Sequence, residues 1–208
     1  RPAVHLAARP GVLTAADLAE AVDGEVGRYS PYAVYLGGGD PGRLAPLRDG
    51  QALVQDEGSQ LVARALTLAP LIGEDGGRWL DLCAGPGGKT AVLAAQALRS
   101  GATLDANEVA PARAGLVRKA VAGVPLSVPV SEEDGRERTA RMPGAYDRVL
   151  VDAPCTGLGA LRRRPEARWR KQPGDIPELA ELQYELFLAG FEALAPGEGA
   201  LLFGITGS

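Results

Sequence analysis

Residues 79–90 read WLDLCAGPGGKT, and this run decides the fold. Trp79, Leu80 and Leu82 form a short apolar strand with an acid, Asp81, at its end. Gly85, Pro86, Gly87 and Gly88 then turn the chain into a helix that opens on Lys89 and Thr90. Glycines remove side chains where backbone must approach a ligand closely. Two better-known glycine loops each miss by one residue. A phosphate-cradling loop needs G-x-x-x-x-G-K-[ST], and counting back from Gly88-Lys89-Thr90 puts Cys83 where the first glycine belongs. A dinucleotide fingerprint needs G-x-G-x-x-G; Gly85 and Gly87 fit, but the third position is Thr90. What remains is a strand, a glycine turn and a helix, with an acid about twenty residues downstream. That acid, Glu108, follows the strand TLDANEV and is suited to accept hydrogen bonds from ribose hydroxyls.

A second run, YDRVLVDAPCTG at 146–157, reads as another buried strand ending in Asp152-Ala153-Pro154-Cys155. Together the two runs point to an S-adenosylmethionine enzyme with a cysteine beside the substrate. Between and around them strands and helices alternate. The pattern predicts strands over 78–83, 102–107, 126–131, 147–152 and 199–206, and helices over 88–99, 110–122 and 177–195. EGSQLVARALTLAPL (57–71) carries apolar residues at helical spacing. Alternation with near-continuous apolar strands predicts an α/β fold with a doubly wound, mostly parallel sheet. Ligands bind such sheets at the carboxyl ends of the strands, where Asp81, Glu108, Asp134 and Asp152 all fall. Residues 1–50 are richer in Pro and Gly. They contain TAADLAEAV (14–22), a short helix with Thr14 as N-cap, and AVYLGGGDPGRL, a strand and a turn. This part reads as a small α+β unit, too small to fold alone, leading into a core domain over 51–208.

With 208 residues, 46% of them apolar, the chain can bury one good core. Its two cysteines, Cys83 and Cys155, fall in separate motifs, and His5 is the lone histidine. That pattern argues against a metal site and against histidine-based catalysis. No apolar run approaches the roughly 20 residues needed to span a membrane, and few cysteines without a signal peptide fit the cytoplasm. The net charge of −4 argues against a nucleic-acid partner, but distribution matters more than the sum. Arg162, Arg163, Arg164, Arg168, Arg170 and Lys171 crowd one stretch against a single acid, Glu166, with Trp169 among them. Such a patch is suited to hold phosphates while the ring stacks on a base, so RNA contact is expected there.

DLCAGPGGKT, DAPCTGLGALRRRPEARWR and VQDEGSQLVA resemble the Sun/Fmu family of RNA cytosine-5 methyltransferases, the bacterial ribosomal RNA type with nucleolar relatives. The resemblance runs from about residue 28 to the C-terminus. It implies a class I methyltransferase core that binds S-adenosylmethionine and RNA and acts on a cytosine of 16S ribosomal RNA. It implies a donor held by Cys83, Ala84, Gly85, Pro86, Gly87, Gly88 and Lys89, with Arg113 in the same cofactor-binding set. Glu108 would take the ribose, and Asp134 the adenine amino group, although Glu132 and Glu133 compete for that role in what reads as a charged loop, 131–138. Asp152 would lie near the methyl donor and the target base, Lys89 in the catalytic pocket, and the N-terminal unit against RNA.

Cytosine C5 is not nucleophilic. The family's solution is a thiolate that attacks C6, making C5 electron-rich enough to take the methyl; a base then removes the C5 proton and the thiol is eliminated. The thiolate is the reactive form of cysteine. The family has two slots for it. One cysteine follows the Asp-x-Pro of the fourth strand, here Cys155. The usual attacking cysteine sits in a Thr-Cys-Ser after the fifth strand, and here that tripeptide is Thr206-Gly207-Ser208. Gly207 carries no nucleophile. Replacement to silence turnover, a naturally inactive member and a register shift from missing downstream sequence all stay open, as does attack by Cys155 itself. Methyltransferases of this class usually add two further strands, so a fragment is expected, monomeric in solution. The alternatives are a binding module for cofactor and RNA without catalysis, and an enzyme acting on transfer RNA.

Overall fold

The computed structural model describes residues 3–155, 175–197 and 199–205. In chain order the elements are β1 (Val4–Ala8), α1 (Ala15–Val22), β2 (Glu25–Val26), β3 (Ala33–Leu36), a 3-10 turn (Pro41–Arg43), α2 (Ala45–Arg48), β4 (Ala52–Val54) and α3 (Glu57–Leu68). They continue with β5 (Arg78–Asp81), α4 (Gly88–Ser100), β6 (Thr103–Asn107), α5 (Pro111–Val121), β7 (Val130–Ser131), α6 (Gly135–Arg141), β8 (Arg148–Asp152), α7 (Asp175–Glu192) and β9 (Ala200–Gly204).

The second half builds a parallel sheet in the order β7-β6-β5-β8-β9. Strand order reverses at β5, the switch point where an open α/β sheet leaves a crevice at its carboxyl edge. Successive strand residues face opposite ways. Trp79, Leu104 and Leu150 therefore pack with Leu66, Val92 and Leu93 of α3 and α4. Leu80, Val149 and Val151 face the other way, against Leu186, Ala189 and Ala193 from α7 and the turn after it. The sheet is covered on both faces, which is why its strands are apolar throughout.

Helix ends follow local chemistry. Thr14 caps α1, its hydroxyl accepting from Asp17 N at 3.1 Å. Pro111 opens α5, and α3 stops at Leu68, two residues before Pro70. Gly115, inside α5, has nothing within 4 Å of an added Cβ. Gly115→Ala is expected to raise stability by roughly 0.5–1 kcal/mol in urea unfolding, and a fall would show that α5 packs differently.

Two predicted stretches differ. The strand expected over 126–131 shrinks to Val130–Ser131, because Pro125 and Pro129 remove ladder donors on an edge strand. Of the charged loop expected over 131–138, residues 132–134 are loop, but 135–138 are the start of α6, with Asp134 as its N-cap accepting from Arg136 N. No helix among the described residues is long and apolar enough to cross a membrane.

The first half forms an antiparallel sheet in the order β2-β3-β1-β4. It takes in Ala52–Val54, so it runs past residue 50, and it has its own apolar cluster built on Leu6, Leu18, Val34 and Leu36. Helix α3 joins the two halves. Its Gln60 Nε2 donates to Leu6 O (3.1 Å) and Gln55 O (3.0 Å), and its Oε1 accepts from Ser30 Oγ (2.7 Å). Its far end receives Arg148 of β8, which donates to Leu66 O (2.6 Å) and Ala69 O (2.8 Å). Arg9 adds a second tie, donating to Gly50 O (2.7 Å) and Ala120 O (3.1 Å).

Candidate active site at the end of the central strand

Strand β5 ends on Asp81, and the glycine turn follows at once. The Asp81 carboxyl is fully buried. One oxygen accepts from Thr90 Oγ1 at 2.8 Å; the other, Oδ1, has no hydrogen-bond partner among the described residues. Burial, with the charges of Asp152 and Glu108 adding to it, pushes this carboxyl up to about 7.

The sign of the resulting pH dependence follows from linkage. A raised value means the folded chain holds the proton more tightly than the unfolded chain. The contribution of this group to stability is full at low pH and is lost as pH climbs from 3.8 toward and past about 7. Asp81→Asn, which keeps an acceptor for Thr90, is expected to flatten the decline across that window. Urea unfolding of both proteins at a series of pH values checks it; parallel curves would sink the assignment.

The turn itself is shaped for close approach. Gly85 N donates to Glu108 Oε2 at 3.0 Å, and Ala110 N donates to Glu108 Oε1 at 3.0 Å, so both oxygens of this buried carboxylate are fixed. Arg113 Nε lies 3.5 Å from Glu108, and the Arg113 guanidinium also donates to Gly85 O. An added Cβ on Gly85 would lie 2.2 Å from Glu108 Oε2. Gly87 has φ +107, a conformation natural to glycine alone, and a Cβ there would meet Val117 Cα at 2.9 Å. Asn107 braces the next loop: its Nδ2 donates to Leu82 O (3.2 Å) and Glu133 O (3.0 Å), and its Oδ1 accepts from Ser131 Oγ (2.7 Å).

On the β8 side, Lys89 reaches across to Asp152 with Nζ 2.6 Å from Oδ2, the two side chains only 7% and 9% exposed. Lys89 Nζ also donates to Ser59 Oγ on α3 at 3.3 Å. The loop after β8 is held by Ala153 N donating to Gly204 O (2.9 Å) and by Gln183 Nε2 of α7 donating to Pro154 O (2.8 Å). Cys155 follows that loop, half-buried. Cys83 sits under the glycine turn, where burial, and then the charge of Asp81, pushes its thiol well above the ordinary range. It is a packing residue with its backbone at the turn. Neither cysteine is in a disulfide.

The structure thus brings together Asp81, Cys83, Ala84, Gly85, Pro86, Gly87, Gly88, Lys89, Glu108, Arg113 and Asp152. Asp134 stands apart in its bonding. Arg136 N and Nε both donate to its Oδ1 at 2.9 Å, and the hydrogen bond from that guanidinium holds its carboxyl below the usual range. Ser59 and Gln183 are additions that sequence reasoning missed; Ser59 lies inside VQDEGSQLVA, a run quoted only for its resemblance. Gly207 and the stretch from Arg162, Arg163 and Arg164 through Arg168, Trp169, Arg170 and Lys171 lie outside the described residues. Among the described residues, no group of three or more His, Cys, Asp and Glu side chains is arranged to hold a metal ion.

A parallel sheet with a glycine turn at the end of its central strand and a carboxylate at each neighbouring strand end is the Rossmann-like fold class of the S-adenosylmethionine-dependent methyltransferases. By sequence the chain belongs to the 16S rRNA methyltransferase RsmB/F family, whose profile matches residues 65–207. It is 67% identical over 203 residues to "Putative methyltransferase Rv1407" of Mycobacterium tuberculosis (strain H37Rv), covering 98% of this chain and 43% of that protein. It is 38% identical over 163 residues to ribosomal RNA small subunit methyltransferase B of Sodalis glossinidius, covering 78% and 36%. Among solved structures, PH0851 superposes with a TM-score of 0.85 at 26% identity, covering 98% of this chain and 46% of that one. NSun6 from Pyrococcus horikoshii, solved with SFG, a donor analogue, gives 0.67 at 25% identity, covering 83% and 44%. The chain spans less than half the length of each of these relatives.

Proposed function

We propose that this chain is the catalytic portion of a cytoplasmic RNA cytosine-5 methyltransferase acting on small-subunit ribosomal RNA. The observation that carries the reading is the Lys89–Asp152 pair. It joins the helix start after the glycine turn to Asp152 at the end of β8, which supports a reading in which cofactor and cysteine share one crevice.

The residues present fit S-adenosylmethionine. Glu108 has both oxygens fixed by backbone donors, and their second lone pairs suit ribose hydroxyls. Asp81 carries a buried oxygen without a partner among the described residues, suited to a cationic group. Cys83, Ala84 and Gly85 to Gly88 offer backbone, and Arg113 keeps Glu108 in place. When bound, the cofactor supplies an electrophilic methyl group. Lys89 orients Asp152, whose carboxylate would accept from the exocyclic amine of the target cytosine. The segment ending at Cys155 is pinned by Gln183, so the thiol keeps its place beside that base. Asp134 would meet the adenine amino group with a carboxylate already shared with Arg136. The basic run from Arg162 to Lys171 would track RNA phosphates.

The test is transfer of a labelled methyl to bare small-subunit ribosomal RNA and, separately, to transfer RNA, with the modified base identified by mass spectrometry. Run beside the parent, Gly207→Cys separates two states of the site. Label at cytosine C5 from that variant alone would assign Gly207 as the silenced nucleophile slot. Label from the parent would make Cys155 the attacking thiol. Label in transfer RNA alone would overturn the ribosomal assignment. No label, with cofactor still bound, would favour a binding module, a reading motivated by Gly207 itself.

A further inference from the structure

Gln55 links β4 to α3 and is 6% exposed. Its backbone is tied at both ends: the N–H donates to His5 O at 3.0 Å, and the carbonyl accepts from Gln60 Nε2 at 3.0 Å. Its side chain is not. Neither Oε1 nor Nε2 has a hydrogen-bond partner among the described residues. Burying a primary amide without partners is costly, and in native folds such groups are rare enough that each asks for a reason.

The place of this amide supplies one. A Cβ added to Gly88 would lie 3.3 Å from both Cδ and Nε2 of Gln55. The side chain therefore lies on the first residue of α4, a helix of 13 residues whose N-cap, Gly87, contributes no side-chain cap. A helix start of this kind attracts anions through its backbone donors and its dipole. Glu108 stands at Gly85, at the opposite end of the same turn. A ligand laid along the turn with its ribose at Glu108 brings its other end to Gly88, Lys89 and Gln55.

Resting on the cofactor reading above, we propose that Gln55 holds the amino-acid end of the methyl donor. Nε2 donates to the ligand carboxylate at the start of α4, and Oε1 accepts from its ammonium, with Asp81 Oδ1 as a second acceptor for that cation. An amide suits this end because one side chain offers both a donor and an acceptor. Gln55 is a binding residue here and takes no part in bond making.

Calorimetric titration with two ligands tests it: S-adenosylhomocysteine, which carries the amino-acid end, and 5′-methylthioadenosine, which lacks it. Gln55→Leu is expected to weaken S-adenosylhomocysteine about 10-fold or more and to leave 5′-methylthioadenosine unchanged. Because the leucine removes unpartnered polar atoms, the ligand-free variant should melt higher, by about 2–4 °C. Gln55→Met repeats the comparison with a side chain of similar length should the leucine variant fail to fold. Equal weakening of both ligands, or of neither, would overturn the assignment while leaving the cofactor site standing. A parent chain that binds neither ligand would overturn the cofactor reading and the assignment with it.

Discussion

Gly85→Ala is expected to reduce affinity for S-adenosylhomocysteine by at least about 100-fold, the combined effect of a displaced charged acceptor and local overpacking. The added methyl would lie 2.2 Å from Glu108 Oε2 and 2.7 Å from Arg113 Nε, well inside contact distance. Glu108 has no easy retreat, because Gly85 N and Ala110 N hold its two oxygens. Either the turn lifts or the carboxylate swings, and both move the ribose acceptor. The overpacking should also cost roughly 1–3 kcal/mol of stability. Calorimetry and urea unfolding measure the two effects, and Gly115→Ala, whose added methyl meets nothing within 4 Å, is the control. Unchanged affinity in Gly85→Ala would rule out Glu108 as the ribose acceptor.

The Lys89–Asp152 pair sets the second expectation. Both side chains are nearly buried and 2.6 Å apart. Removing one partner of such a pair strands a charge, a loss of about 3–5 kcal/mol, whereas replacing both with apolar groups is often close to neutral. Lys89→Met and Asp152→Leu are each expected to destabilise the fold strongly, and the double variant to recover most of the loss. Methyl transfer should instead fall by about 1,000-fold or more in all three, since no variant retains the carboxylate held by the ammonium. A double variant as unstable as the worse single would show that the two groups are coupled weakly. Recovery of activity along with stability would remove the pair from the chemistry.

The parallel half was legible because its signals are local and strong. WLDL and DRVLVDAP read as buried strands, Gly85 to Gly88 as a turn, and 110–122 as a helix. β5, α4, α5 and β8 stand within a few residues of their predicted bounds. The misses came where short-range chemistry competes with composition. EEDGRERTAR looks like a charged loop, yet Asp134 caps α6, and Thr139, at 1% exposure, buries one face of it. Val128 and Val130 suggested a longer strand than Pro125 and Pro129 allow. Within the site, Asp81, Glu108 and Asp152 were marked by position at strand ends, and Lys89 by its place just after the glycine turn. Ser59 and Gln55 were not, because α3 and the link before it reach the turn only in three dimensions and leave no spacing to read.

Helix α3 also separates two notions of a unit. The family signature begins at residue 65, inside a helix that runs from Glu57 to Leu68. Its first two turns give Glu57, whose carboxylate accepts from Tyr29 N and Ser30 N, and Gln60, bound to Leu6 O. Its last two give Ala63 and Leu66 to the core of the parallel sheet. The stretch matched by the family profile is therefore shorter than the stretch that the packing ties together as one body. Excised at the signature, the catalytic sheet would lose its spine. The small leading sheet is best regarded as one end of the same keel, a structural obligation of the parallel sheet that α3 and Arg9 tie it to.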